Sequence, residues 1–157
     1  MTTNFIHAFK TNIIEQYQEQ KKWADDAFAR CDDRTFFATL GSDPNDHTNS
    51  IAILVKHIAG NFRSRWTDFL TSDGEKADRN RPAEFVAVGN ERATLMAQWE
   101  DGWAILFATL ESLSEEDFTK NVVIRGESLS VIQAIHRNLL HAAHHIGQID
   151  LLATALK

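Results

Sequence analysis

The chain has one cysteine, Cys31, and two prolines, Pro44 and Pro82, among 157 residues. A lone cysteine excludes an internal disulfide, and nothing in the sequence asks for an oxidising compartment. Cys31 precedes Asp32 and Asp33, whose negative charge is expected to keep the thiol protonated and inert. Two prolines and seven glycines leave most of the chain free to be helical. Positive charge is also scarce: 16 Lys and Arg against 22 Asp and Glu give a net charge of −6. That balance argues against nucleic acid as a partner, because phosphate neutralisation needs a basic surface. No run approaches the roughly 18 apolar residues of a membrane span. The first ten residues place polar side chains among Phe5, Ile6 and Phe9, where a signal peptide has a continuous apolar core. The expectation is a cytoplasmic protein with no nucleic-acid and no membrane partner.

What the chain does have is helical period. At this length a single core is expected, so residues 1–157 are read as one domain, all-α and without a linker. Phe5, Phe9, Ile13, Tyr17, Ala24 and Phe28 recur at helical spacing and predict a first helix over about 3–30. A short helical turn is expected in 33–40, then a loop at 41–50 dense in turn residues. Asn49 or Ser50 then opens a second helix with Ile51, Val55, Ile58, Phe62 and Phe69 on its apolar stripe. His57 and Asn61 lie on the neighbouring stripe. Residues 71–82 are charged throughout and read as a solvated connection, Arg79 and Arg81 included, although those two arginines could instead contact an anionic substrate. From Ala83 to Leu113 a three-and-four spacing predicts the longest helix, with Val88 and Arg92 on its apolar stripe and Trp99 and Trp103 in the core. Arg92 is also a candidate to contact a substrate. Residues 117–130 suggest a short extended piece, and Ser128 or Ser130 caps a last helix running nearly to the C-terminus.

That last helix carries the chemistry. Three of the seven histidines fall within His141-Ala-Ala-His-His145. His141 and His145 are four apart and share a helix face, so both can reach one metal ion. His144 points about 100° away and is assigned to the surface or to a supporting position. His57 lies one residue before a seam position of the second helix, as His141 and His145 do on the last. If those helices pack side by side, three imidazoles converge. Three neutral nitrogen ligands suit zinc or another first-row divalent ion, with positions left open for water or substrate. Such an ion would lower the pKa of a bound water or polarise a bound thiol. Gln148, three residues after His145, could hydrogen-bond a ligand, and Gly147 is expected to permit close helix packing. The run lacks the Glu of a His-Glu-x-x-His zinc protease and the Glu-x-x-His repeats of a di-iron bundle. No general base is evident, since Asn61 takes no proton at neutral pH.

His-x-x-x-His-x-Gly-Gln-Ile on the last helix, with Ser-Ile-Ala-Ile-Leu-Val-Lys-His-Ile-Ala-Gly-Asn on the second, resembles the DinB/YfiT-like superfamily over essentially the whole chain. Arg-Trp-Thr-Asp-Phe-Leu-Thr-Ser-Asp-Gly-Glu-Lys and Ile-Arg-Gly-Glu-Ser-Leu-Ser-Val look like an uncharacterised branch of it, a domain of unknown function. The resemblance implies an up-down-down-up four-helix bundle, often dimeric, with a divalent metal such as zinc or nickel on His57, His141 and His145. It further implies chemistry related to thiol-dependent transferases and isomerases that use a low-molecular-weight thiol. Two functions are therefore expected to compete. One is a metal-dependent enzyme acting on a small molecule by activating a thiol or a water. The other is a non-catalytic, metal-binding homodimer with a binding or structural role.

Overall fold

The computed structural model describes residues 2–41, 49–86 and 89–157, with side chains from residue 5 onward. Most of the predicted loop at 41–50, and Val88, lie outside the described residues. The chain is mostly helical: α1 (Thr2–Phe28), α2 (Asp33–Phe37), α3 (Ile51–Trp66), α4 (Arg81–Glu84), α5 (Arg92–Ser112) and α6 (Val131–Ala155). A 3-10 turn at Glu116–Thr119 and a two-stranded antiparallel hairpin, β1 (Asn121–Ile124) and β2 (Glu127–Ser130), separate α5 from α6. The hairpin occupies the stretch expected to be a short extended piece, and the rest of the described chain is helices and connections. The hairpin forms where Val122 and Ile124 bury one face of an alternating pattern while Asn121 and Val123 stay exposed.

Local signals set most of the boundaries. Ser50 caps α3 by accepting from Ile53 N, and Ser130 with Gln133 forms a complete capping box on α6. The expected long helix from Ala83 is instead two pieces. Asn80 caps the short α4, which has Pro82 in its first turn, and Gly89 then takes φ +80, a left-handed conformation that ends helical winding before α5. At 27 residues α1 is longer than α5 at 21, so the longest helix is the first.

Contacts along the long helices give their directions. α1 and α6 run alongside in the same sense, since Phe9 meets His136, Tyr17 bonds to Ile135 and Asn138, and Arg30 pairs with Asp150. α1 opposes α5, with Lys10 on the Glu111 and Leu113 carbonyls and Lys21 on Glu100. α3 runs parallel to α5: Gly102 rests on Ala59, and Thr109 Oγ1 donates to Trp66 O at 3.0 Å. α3 is antiparallel to α6, with His57 against His141 and Trp66 against Asn138.

Between α1, α3 and α5 lies an aromatic core. Tyr17 sits edge-on to Phe62, Trp66 and Trp103, and Trp99 packs on Trp103 and Phe28. Trp66, Trp99 and Trp103 are buried, as expected of packing residues. Cys31 is buried and donates to Ala27 O at 3.2 Å. Its thiol is pushed up chiefly by burial, with Asp32 adding little and Arg92 and Arg30 opposing, so it is protonated for a different reason from the one expected.

Candidate metal centre

His57 is buried in the middle of α3, with its Nδ1 2.9 Å from Glu84 Oε2. Burial alone would push the Glu84 carboxyl up. Hydrogen bonds from His57 and Arg79 outweigh it and hold the pKa below the usual value. The carboxylate therefore accepts and His57 Nδ1–H donates, which turns the lone pair of Nε2 toward α6. Arg79 clamps the same carboxylate from behind, Nε to Oε1 at 2.7 Å and Nη2 to Oε2 at 2.8 Å. Glu84 reaches this position because Gly60, one turn past His57, has no side chain: a Cβ there would stand 2.3 Å from Glu84 Oε1.

His141 and His145 face His57 from α6. The ring centroids are 5.1 Å and 5.0 Å from that of His57 and 4.6 Å from each other. His57 Nε2 and His141 Nε2 are 3.1 Å apart. His145 Nδ1 donates to Gln148 Oε1 at 2.7 Å, so Nε2 is again the free nitrogen. All three rings offer a ligand nitrogen within 4.8 Å of the other two. Neighbouring ligands on an ion with metal–nitrogen bonds of about 2.1 Å stand roughly 3.0–3.4 Å apart. The His57–His141 spacing matches that edge, and the His145 nitrogen lies within 4.8 Å of both. The donors are also in the right protonation state. Burial, reinforced by His145 and His57, lowers His141 to about 3, and burial lowers His145 as well. Both are neutral at neutral pH, as metal ligands must be. His141 Nδ1 is buried with no partner among the described residues.

The residues present thus fit a divalent cation held by His57, His141 and His145, with two of the three rings oriented by outer acceptors. Among the described residues this is the one cluster of three or more His, Cys, Asp or Glu donors suited to an ion. Beside it opens a cavity of about 150 Å³, walled in part by His57, His141, Asn61, Asn138 and Trp66. Asn61 lies one turn past His57, and its Oδ1 accepts from Asn138 Nδ2 at 2.8 Å. Asn138 Oδ1 in turn accepts from Tyr17 and from Trp66, each at 3.1 Å, which ties the cavity wall to the aromatic core.

Three sequence expectations change here. Arg92 lies away from the histidines: it donates to the Phe28 and Cys31 carbonyls, pairs with Asp33 and stacks over Phe36. The unsatisfied carbonyls at the end of α1 draw it there. Arg79, expected in solvent, has a side chain only 4% exposed and supports the site through Glu84. Gly147 faces open space rather than a packed helix. His144 is exposed, as expected, with its ring beside that of His145, and His7 is exposed near the start of α1. Glu84 and Asn138 were not foreseen. Asn138 had a signal, a polar side chain on the apolar stripe of the last helix three residues before His141. Glu84 had none beyond its place after a proline in a charged stretch.

No helix is long and apolar enough to cross a membrane among the described residues. No curated protein and no solved structure matches the chain. Residues 4–157 match the model of a family described as a protein of unknown function, DUF1572, and the chain belongs to that family.

Proposed function

We propose that the protein is a divalent-metal-dependent enzyme of the DinB/YfiT-like kind, built as one up-down-down-up four-helix bundle domain, acting on a small molecule. The observation that carries this reading is the orientation of the histidines: Glu84 holds Nδ1 of His57 and Gln148 holds Nδ1 of His145, which leaves Nε2 of each free, and all three rings offer a ligand nitrogen within 4.8 Å of the other two. Three neutral ligands leave an ion with its charge uncancelled and with open positions, a catalytic rather than a structural set. Bound there, zinc or nickel supplies Lewis-acid chemistry, lowering the pKa of a coordinated thiol or water. The chain's own residues orient the ligands, wall the adjacent cavity and keep His141 and His145 unprotonated.

A thiol is favoured over water as the activated group. Hydrolysis calls for a protein base, and both oxygens of Glu84, the carboxylate at the site, are taken by His57 and Arg79. Asn61 cannot accept a proton. A low-molecular-weight thiol co-substrate follows from that preference. The relative directions of α1, α3, α5 and α6 support the bundle. Phe5 and Trp23 on α1 and Leu140 and Leu151 on α6 are exposed apolar side chains on neighbouring helices, which supports a homodimer through that face.

The test is a reaction screen on zinc- and nickel-loaded protein, pairing small thiols with electrophiles. Thiol consumption that depends on metal and disappears in His57→Ala supports the reading. Ester or amide hydrolysis with no thiol present would move it to a hydrolase. Metal whose removal unfolds the chain, with no turnover in any screen, would make the site structural.

A further inference from the structure

The cavity beside the histidines is walled by arginines from five separate segments: Arg65 on α3, Arg79 before α4, Arg81 on α4, Arg125 in the hairpin turn and Arg137 on α6. No aspartate or glutamate among the described residues lines it. The carboxylates that pair with these arginines are three. Glu75 takes Arg65 at 2.9 Å, Arg125 at 3.0 Å and Arg79 at 3.3 Å; Glu84 takes Arg79; Glu127 takes Arg137 at 3.1 Å. Arg81 has no ion pair among the described residues and instead lies over the Phe85 ring, which packs on His57. Positive charge is therefore in excess around a small, partly dry space, where guanidinium groups attract anions far more strongly than in water.

Two further features point into the same space. Asn61 Nδ2 has no acceptor among the described residues, while its Oδ1 is fixed by Asn138, so an N–H donor is held at the cavity wall. Arg125 sits at φ 56 and Gly126 at φ 76, the pair of left-handed residues of a tight hairpin turn. Asn or Gly is the usual occupant of the first position, and arginine there is strained. Asp73 secures the turn by accepting the backbone N–H of Arg125 and of Gly126, each at 2.8 Å. A mutual Arg–Glu scaffold accounts for Arg65, Arg79 and Arg125. It leaves Arg81 and the Asn61 donor without a purpose.

We propose that this cavity binds the oxyanion group, carboxylate or phosphate, of a small substrate or co-substrate whose reactive end lies against His57 and His141. Planar guanidinium forks match either group in bidentate fashion. Trp66, Phe69 and Ile124 supply an apolar wall for a short carbon skeleton. A volume of about 150 Å³ admits a small acid or the anionic end of a larger molecule. The anion site stands on the cavity itself; its service as a substrate subsite rests on the metal reading above.

Calorimetric titration of the full chain with inorganic phosphate and with succinate tests this, on metal-free and zinc-loaded protein. One equivalent of at least one probe is expected to bind. Phosphate alone indicates a phosphorylated ligand, succinate alone an organic acid. Arg81→Gln with Arg137→Gln, both exposed side chains whose loss is expected to leave the melting temperature unchanged, should weaken binding by about tenfold or more. Should the double variant fold poorly, Arg81→Gln alone should weaken binding severalfold. Arg63→Gln, on the outer surface and paired with Asp101, should not change it. The inference is overturned if neither probe binds at one equivalent, or if the arginine variants bind as wild type does. Anion binding by a chain that takes up no metal would overturn the metal reading and leave the anion site standing; metal uptake without anion binding would do the reverse.

Discussion

Helix α3 faces two interiors of opposite character. Toward α1 and α5 it presents Ile51, Leu54, Ile58 and Phe62 to a dry aromatic core, where Tyr17, Trp99 and Trp103 fill space by edge-on packing. Toward α6, α4 and the connection that follows α3 it presents His57, Asn61 and Ser64, buried to a similar degree but each engaged by a polar partner. The first interior gains stability from the apolar area it removes from water, although Nε1–H of Trp99 and of Trp103 is buried there with no partner among the described residues. In the second, burial costs stability unless each polar group is met; His57 Nε2 and Asn61 Nδ2 are left free beside the proposed ion and ligand, and His141 Nδ1 is buried with no partner among the described residues. Stability and function are thus divided between two faces of one helix.

Substitutions on the two faces should separate accordingly. The largest loss of stability is expected from Trp103→Ala in the aromatic core, about 3–5 kcal/mol by denaturant unfolding, with metal stoichiometry unchanged in the protein that remains folded. Metal loss in that variant at a temperature where it is folded would erase the distinction. Glu84→Gln reverses the pattern. It weakens the acceptor for His57 Nδ1 and leaves Arg79 with Glu75 alone, so metal affinity should fall by about 10–100-fold and stability by about 1–3 kcal/mol. Gly60→Ala should act in the same direction and less strongly, because its Cβ displaces the Glu84 carboxylate without removing it.

Acid provides a subtler probe. An unfolded histidine takes up a proton near pH 6.5, whereas folded His141 does so only at about 3. Between those values the unfolded chain binds more protons, so stability is full above about 6.5 and is lost as pH falls toward 3. The lowered values of His145 and Glu84 act in the same sense. Metal-free wild type should therefore lose more stability than His141→Asn when urea unfolding at pH 7 is compared with pH 5. Equal losses would mean that His141 is not held neutral by its surroundings. The smallest effect is expected from Gln148→Ala, which frees the His145 ring and should weaken metal binding by about tenfold or less.

Legibility in the sequence followed the same division. The aromatic core could be read because apolar side chains repeat at helical spacing, and α1, α3 and α6 began and ended within a few residues of expectation. The ligands could be read because two are spaced one turn apart and the third lies beside a seam. Glu84 and Arg79 could not, since their stretch has no period and their charges resemble a solvated loop. What buries them is the missing side chain of Gly60, an effect of tertiary packing that no local pattern records. Arg92 misled for the converse reason: its place in the apolar spacing reflects a cap on the end of α1, not a wall of the site. The hairpin was anticipated only as an extended piece, because β1 and β2 are four residues each.

The central claim, that His57, His141 and His145 hold one divalent ion, is tested most directly by elemental analysis of protein purified without added metal, beside His57→Ala. Wild type should carry, or take up on titration, one zinc or nickel per chain, and the variant should hold neither tightly. A wild type without metal affinity, or a variant that binds as well as wild type does, would contradict it.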